Sequence, residues 1–188
     1  MKNNFAFLAS WFPTLIFASF LSALGSGVIQ MIFKFVIPDS ERAQYLFAYF
    51  VLTAIICASL AIVSKKLGTQ LNKGAVPLST GVPVFNMLIA GVVYIALFLL
   101  MKGRALGFLY LFPCEMFFAN GVLGTDVAVN APVYEKVGFC IMQFVVYFAV
   151  SLAFYMIAKK KQDNSEAVKK IRGEKKKPNN RFGIDIDI

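Results

Sequence analysis

Four long apolar stretches constrain this chain more than any other feature. They cover residues 5–33, 43–64, 84–101 and 137–158, and none of them contains a charged residue. A helix of about 20 apolar residues crosses the ~30 Å hydrocarbon core of a bilayer, where only a helix or a closed barrel satisfies its own backbone. The pattern therefore predicts an all-α, polytopic transmembrane bundle with four spanning helices.

The composition excludes a water-soluble protein. Hydrophobic residues make up 59% of the chain and charged residues only 15%, against about 25% charged in soluble proteins. The net charge is +9, and ten of the nineteen Lys and Arg residues lie between positions 159 and 181. We therefore expect membrane lipids, anionic lipids among them, as partners of these cations, and not nucleic acid.

The apolar stretches divide the chain into a transmembrane domain, residues 1–158, and a basic tail, residues 159–188. The expected helices cover residues 5–24 with an extension to 37, then 43–64, 84–101 and 137–158. A continuous helix over residues 5–37 would be about 50 Å long, which exceeds the bilayer core. The first helix could continue, bend at Gly25-Ser26-Gly27 or lie with its second half in the interface, and of these we expect a break at the glycines.

Residues 105–122 form a further apolar segment that contains Pro113 and Glu115. If it spanned as a fifth helix, the N-terminus would lie outside the cell; with four spans, both termini are cytoplasmic. The count of basic residues on the two sides does not distinguish these arrangements. The proline, the acid and the short connection at residues 102–104 favour four spans in the cell membrane, with 105–122 as an interfacial or re-entrant segment.

Two local patterns carry a family resemblance. A run of small residues leads into an apolar-Gln sequence at residues 25–30, and the second and fourth helices end at Ser64-Lys65 and Ala158-Lys159. In these features residues 15–66 and 82–160 resemble the GtrA-like family of small four-helix membrane proteins. The family tends to carry Asn-Arg and an aromatic-x-Phe signature at these ends; here only the cation is kept. The resemblance implies movement of polyprenyl-phosphate-linked sugars across the bilayer.

Lysines at helix ends are the candidates for binding a lipid phosphate. Lys65, Lys66 and Lys159 lie at the cytoplasmic ends of the second and fourth helices, and Lys34 lies near the end of the first apolar stretch. An anionic head group would reach such positions. The alternative is that these lysines only anchor the helices at the interface, with their stems along apolar surface.

A few polar side chains interrupt the spans. Gln30, Asn86 and Gln143 either line a path for a head group or form interhelical hydrogen bonds. Glu115 lies among aromatic residues, where an acid is costly unless it is paired. Lys102 or Arg104 could pair with it; alternatively, the segment lies flat and Glu115 faces water.

The chain has no histidine, no glycine-rich phosphate loop and no metal-binding motif. We therefore expect a protein that is not an enzyme and uses no cofactor or metal. The favoured function is transport of a lipid head group, as in a flippase for a lipid-linked sugar. The alternative is an interaction protein, an immunity or exclusion factor or a subunit of a larger complex. Its alternating segment 182–188 then either docks a partner by strand addition or is a disordered end. Small residues four apart in the first helix favour close helix packing or a homodimer.

Overall fold

The computed structural model describes residues 6–71, 81–101, 112–125 and 132–171, and these ranges contain five helices and no strand. The helices are α1 (Ala6–Val36), α2 (Glu41–Leu71), α3 (Gly81–Met101), α4 (Pro113–Leu123) and α5 (Val133–Ile171). Four of them, all except α4, are long and apolar enough to cross a membrane. The predicted all-α, four-span fold class is therefore confirmed.

The outer surface of the bundle is apolar. In the most hydropathic window of each spanning helix, only 28% to 39% of the residues are buried inside the protein. Large apolar side chains such as Phe17, Val92 and Ile157 are more than half exposed. A soluble monomer rarely exposes so much contiguous apolar surface, whereas lipid solvates it without cost. The exposed surface therefore agrees with a multi-pass membrane protein.

Helix α2 is the centre of the bundle and packs against α1, α4 and α5. We call the end that holds the α1–α2 turn, residues 37–40, the turn end, and the opposite end, where α2 finishes and α3 begins, the tail end. Near the tail end α2 and α5 approach closely at Gly68. A Cβ atom there would lie 2.7 Å from the carbonyl oxygen of Tyr155, so only glycine fits this crossing.

The expected break in the first helix is wrong. Helix α1 runs without interruption over 31 residues, through Gly25 and Gly27. A glycine inside a helix costs only about 1 kcal/mol relative to alanine, and the apolar residues on both sides favour one continuous helix. The Ser26 hydroxyl also donates a hydrogen bond to the carbonyl oxygen of Ala23, 2.6 Å away, within the helix. At about 46 Å, α1 exceeds the bilayer core and must tilt or protrude.

Helix α5 also exceeds its expected bounds. It begins at Val133 and ends at Ile171, so the first residues of the basic tail continue the last spanning helix. The remaining tail, residues 172–188, and the interhelical residues 72–80, 102–111 and 126–131 lie outside the described ranges. The docking segment expected at 182–188 stays a prediction for that reason.

Helix α4 is short and packs into the bundle. Its 11 residues extend about 16 Å, too little to span. It begins deep in the bundle, where the ring of Phe112 makes edge contacts with Tyr94 and Phe98 of α3. Its end lies at the turn end, where Gly124 approaches Arg42 and adopts a φ of 87° that favours glycine. The first part of α4 is thus enclosed by protein, which agrees with a re-entrant segment.

Candidate functional site

The interior of the bundle contains one carboxyl group that is almost completely enclosed. Glu115 is only 2% exposed. Pro113 begins α4, which places Glu115 in the first helical turn, where the positive end of the helix dipole favours an acid. The alternative in which Glu115 faces water is therefore wrong. Lys102 and Arg104, its expected partners, lie outside the described residues.

The two oxygens of Glu115 differ in their partners. The Tyr94 hydroxyl donates a 2.7 Å hydrogen bond to Oε1. Oε2 is buried and has no hydrogen-bond partner among the described residues. Burial raises the pKa of the Glu115 carboxyl to about 7, although the hydrogen bond from Tyr94 lowers it.

Further polar side chains tie α4 to α2 and α5. The Cys114 thiol lies beside the side chains of Tyr147 on α5 and Thr53 on α2. We call Tyr94, Cys114, Glu115 and Tyr147 the Glu115 cluster. Each of Tyr94, Cys114 and Tyr147 is fully buried. The cluster therefore joins three elements, and a change in the position of α4 would break contacts with α3 and α5 together.

Gln143 forms interhelical hydrogen bonds, which is one of the two roles that the sequence predicts for it. It accepts a 2.9 Å bond from the Tyr49 hydroxyl through Oε1 and donates a 3.2 Å bond to Thr53 through Nε2. Both partners lie on α2, so Gln143 bridges α5 to the central helix. Its polar atoms are already used by the protein, which leaves little capacity for a substrate.

A lateral groove opens at the turn end, between the end of α1 and the start of α2. It has a volume of about 580 Å³. We call it the turn-end groove; its lining residues are Gly27, Gln30, Met31, Lys34, Pro38, Glu41 and Gln44. The side-chain amide of Gln44 donates a 2.8 Å hydrogen bond to the backbone carbonyl oxygen of Ile37. This bond ties the start of α2 to the turn that follows α1. The groove brings two of the predicted residues, Gln30 and Lys34, into one site.

The other predicted residues lie elsewhere. Lys65, Lys66 and Lys159 lie near the tail end; the first two are exposed and Lys159 is partly exposed. Asn86 is buried early in α3, in the half of the bundle nearer the tail end. The eight candidates therefore do not form a single site. They divide into the turn-end groove, the bundle interior and the tail end.

Sequence reasoning missed the buried tyrosines. Tyr94 and Tyr147 are completely buried, and Tyr94 donates the hydrogen bond that Glu115 accepts from another helix. A tyrosine in the middle of an apolar span is a usable signal, because a buried hydroxyl normally has a partner. The same reasoning applies to Trp11, whose indole N–H donates a 2.8 Å bond to Ser151.

The described residues contain no group of three or more His, Cys, Asp or Glu residues that could hold a metal ion. Comparison with known proteins finds no family model, no curated protein and no solved structure that matches the chain. The resemblance to the GtrA-like family therefore stays a prediction.

Proposed function

We propose that this protein is a membrane transport protein that moves a lipid with an anionic, hydroxyl-bearing head group, such as a polyprenyl-phosphate-linked sugar. The observation that carries the proposal is the turn-end groove, which places a cation, amides and a carboxylate beside an apolar helix face. Such a combination suits a molecule that is polar at one end and hydrocarbon at the other.

The polar lining of the groove matches a phosphate with an attached sugar. Gln30 and Lys34 lie one helical turn apart on α1, so both face the groove. Lys34 is exposed and can attract a phosphate. Glu41 would repel a bare anion, but its carboxylate and the side-chain amides accept hydrogen bonds from hydroxyl groups. The site therefore favours a head group that carries both functions.

The neighbouring face of α1 accounts for the lipid chain. The second half of this helix exposes large apolar side chains next to the groove, namely Leu24, Val28, Met31, Ile32 and Phe35. A lipid could therefore place its head group in the groove while its chain stays in the hydrocarbon. At Gly27 nothing lies within 4 Å of the place where a Cβ would stand, so the groove remains open beside the helix backbone.

The test is a flip assay in proteoliposomes that contain the full chain and a fluorescent polyprenyl-phosphate-sugar analogue in both leaflets. A membrane-impermeant quencher removes only the outer half of the signal from protein-free vesicles. We expect the wild-type protein to make nearly all of the signal accessible to the quencher. A signal loss equal to that of protein-free vesicles would contradict the transport proposal.

The groove itself is tested by the substitution Lys34→Gln, with Lys161→Gln as the matched control. Both remove one exposed lysine, but Lys161 lies on α5 near the tail end. One lysine near a membrane surface contributes about 1 kcal/mol to the binding of anionic lipid, so we expect Lys34→Gln to weaken retention about fivefold. Native mass spectrometry in mild detergent measures retention. Equal retention of the lipid by the two variants would show that Lys34 does not contribute to the binding site.

A further inference from the structure

Glu115, the buried acid of the bundle interior, does not line the turn-end groove, so lipid binding there does not explain it. Glu115 lies deep between helices, and none of its neighbours in the described structure is a cation. Tyr94 faces it from α3, Cys114 from α4 itself, Cys140 and Tyr147 from α5, and Tyr49 from α2. On α1 the only ionisable side chain is Lys34, which is exposed at the turn end. Among the described residues, the acid is therefore surrounded by groups that are neutral at physiological pH.

The enclosed geometry favours the neutral form of this acid. An ionised carboxylate can accept about four hydrogen bonds, but within the described structure Oε2 has none and Tyr94 supplies one to Oε1. A buried ion without compensating partners is much more costly than the neutral acid, which such a site adopts by binding a proton. The carboxylate would regain its partners only where water reaches Oε2.

Access for water requires movement of α4. This helix carries Glu115 in its first turn and packs against α2, α5 and α1, while the Tyr94 side chain of α3 reaches the carboxyl group. It is the shortest of the five described helices, and it ends in the left-handed residue Gly124. A displacement of its first turn would break its side-chain contacts with α3 and α5, separate Glu115 from Tyr94 and expose Oε2.

We propose that Glu115 is a proton-binding site that couples the uptake and release of one proton to the movement of α4. In the closed state the carboxyl is protonated on Oε2 and accepts the Tyr94 hydrogen bond on Oε1. In the open state the O–H bond of Oε2 breaks, the proton passes to water and the carboxylate remains. The proposal goes beyond lipid transport and does not rest on it, because the site and the groove share no residue.

The first test is an infrared titration of the full chain in lipid. Ordinary Asp and Glu side chains titrate near pH 4, so at pH 6 they are ionised. We expect wild-type protein to retain a protonated-carboxyl band at pH 6 that disappears by about pH 8, in agreement with the pKa of about 7 caused by burial. The band should be absent in Glu115→Gln and retained in the control Glu135→Gln. Absence of the band from wild-type protein at pH 6 would overturn the proposal.

The second test measures coupling to α4 through the neighbouring thiol. Cys114 is fully buried, so its alkylation reports the opening of this helix. In a chain with Cys57→Ser and Cys140→Ser, we expect the Cys114 alkylation rate at pH 8 to be several-fold higher with Glu115 than with Glu115→Gln. The amide in that variant cannot ionise, so α4 stays closed. Equal rates would overturn the coupling.

If Glu115→Gln does not fold, the chain with Cys57→Ser and Cys140→Ser, unfolded in denaturant, provides the reference alkylation rates. It gives the intrinsic increase in thiol reactivity between pH 6 and pH 8. A folded protein whose Cys114 rate rises more than this intrinsic increase supports the coupling. A rise equal to or below it contradicts the coupling.

Discussion

The two polar regions of this bundle satisfy their polar atoms in opposite ways. In the Glu115 cluster, side chains from α3, α4 and α5 meet one another and are fully buried. In the turn-end groove, Lys34 and Glu41 are exposed and the polar lining borders an open volume. A closed cluster has a defined geometry, and any change of charge within it is costly. An open groove keeps its groups free to bind a ligand, and changes of charge there cost little stability.

Reversing one charge in each region should give the largest contrast. We expect Glu115→Lys to lower the free energy of unfolding by at least about 3 kcal/mol, because an unpaired ammonium would be buried. Lys34→Glu should change it by less than about 0.5 kcal/mol, since the side chain is exposed. Denaturant unfolding in mixed detergent micelles measures both values. Similar losses in the two variants would refute the contrast between a closed cluster and an open groove.

The pH dependence of stability should come from the closed region. Glu115 in the unfolded chain has its ordinary pKa near 4.3, whereas burial raises its pKa in the folded protein to about 7. The folded state thus binds more protons between these values, so stability should fall as pH rises through this window and then level off. The decrease is up to about 4 kcal/mol over the whole window.

The variant Glu115→Gln isolates this effect. Its unfolding free energy, measured at pH 5 and at pH 8, should differ much less than that of the wild type. Glu135→Gln serves as the control and should keep the wild-type decrease. The opposite result would be an unfolding free energy that rises between pH 5 and pH 8 in the wild type but not in Glu115→Gln. That result would show that Glu115 is ionised in the folded state.

Removal of the Tyr94 hydroxyl should have a somewhat smaller effect. In Tyr94→Phe the ring remains but Oε1 of Glu115 loses its 2.7 Å donor, which should cost about 1–3 kcal/mol of stability. Because that hydrogen bond lowers the pKa of Glu115, its loss should shift the carboxyl titration to higher pH. The infrared titration measures the shift. Tyr134→Phe, at a side chain that is 74% exposed, should change neither quantity.

The smallest expected effect concerns the acid in the groove. Glu41 lines the same volume as Lys34, so Glu41→Gln should strengthen the retention of a simple anionic phospholipid, such as phosphatidylglycerol, by up to about fivefold. For a lipid with a sugar head group the gain should be smaller, because the carboxylate also accepts hydrogen bonds from hydroxyl groups. Native mass spectrometry with the two lipids measures the difference. Equal gains would show that Glu41 does not contact the sugar.

The success of sequence reasoning differs along the chain. The four spanning helices are recognisable because their apolar composition is a local property. The predicted break at Gly25-Ser26-Gly27 is wrong, since a glycine costs a helix only about 1 kcal/mol relative to alanine and the apolar residues on both sides favour a continuous helix. Pro113 and Glu115 mark the described part of the 105–122 segment, from residue 112 onward, as different from a spanning helix, but they do not determine the depth of α4. That depth depends on packing against α2, which is distant in sequence.

The candidate site shows the same division. Gln30 and Lys34 can be identified one by one, but their common groove depends on where α2 begins relative to α1. The partners of Glu115 were expected on the nearby residues 102–104, whereas the donor within the described structure is Tyr94, on another helix. Polarity within an apolar stretch thus marks the residues of interest without indicating their contacts.

The sequence alone determined that this chain is a helical membrane protein and favoured four spans over five, since hydrophobicity and helix length are read from consecutive residues. Only the tertiary structure decided that Glu115 is enclosed, that Tyr94 is its donor and that Lys34 lines a groove with Glu41. The physical reason is that lipid solvates an apolar helix whichever way it faces, so hydrophobicity does not specify which helices meet. Close approach at Gly68 and the hydrogen bonds between distant residues supply that information.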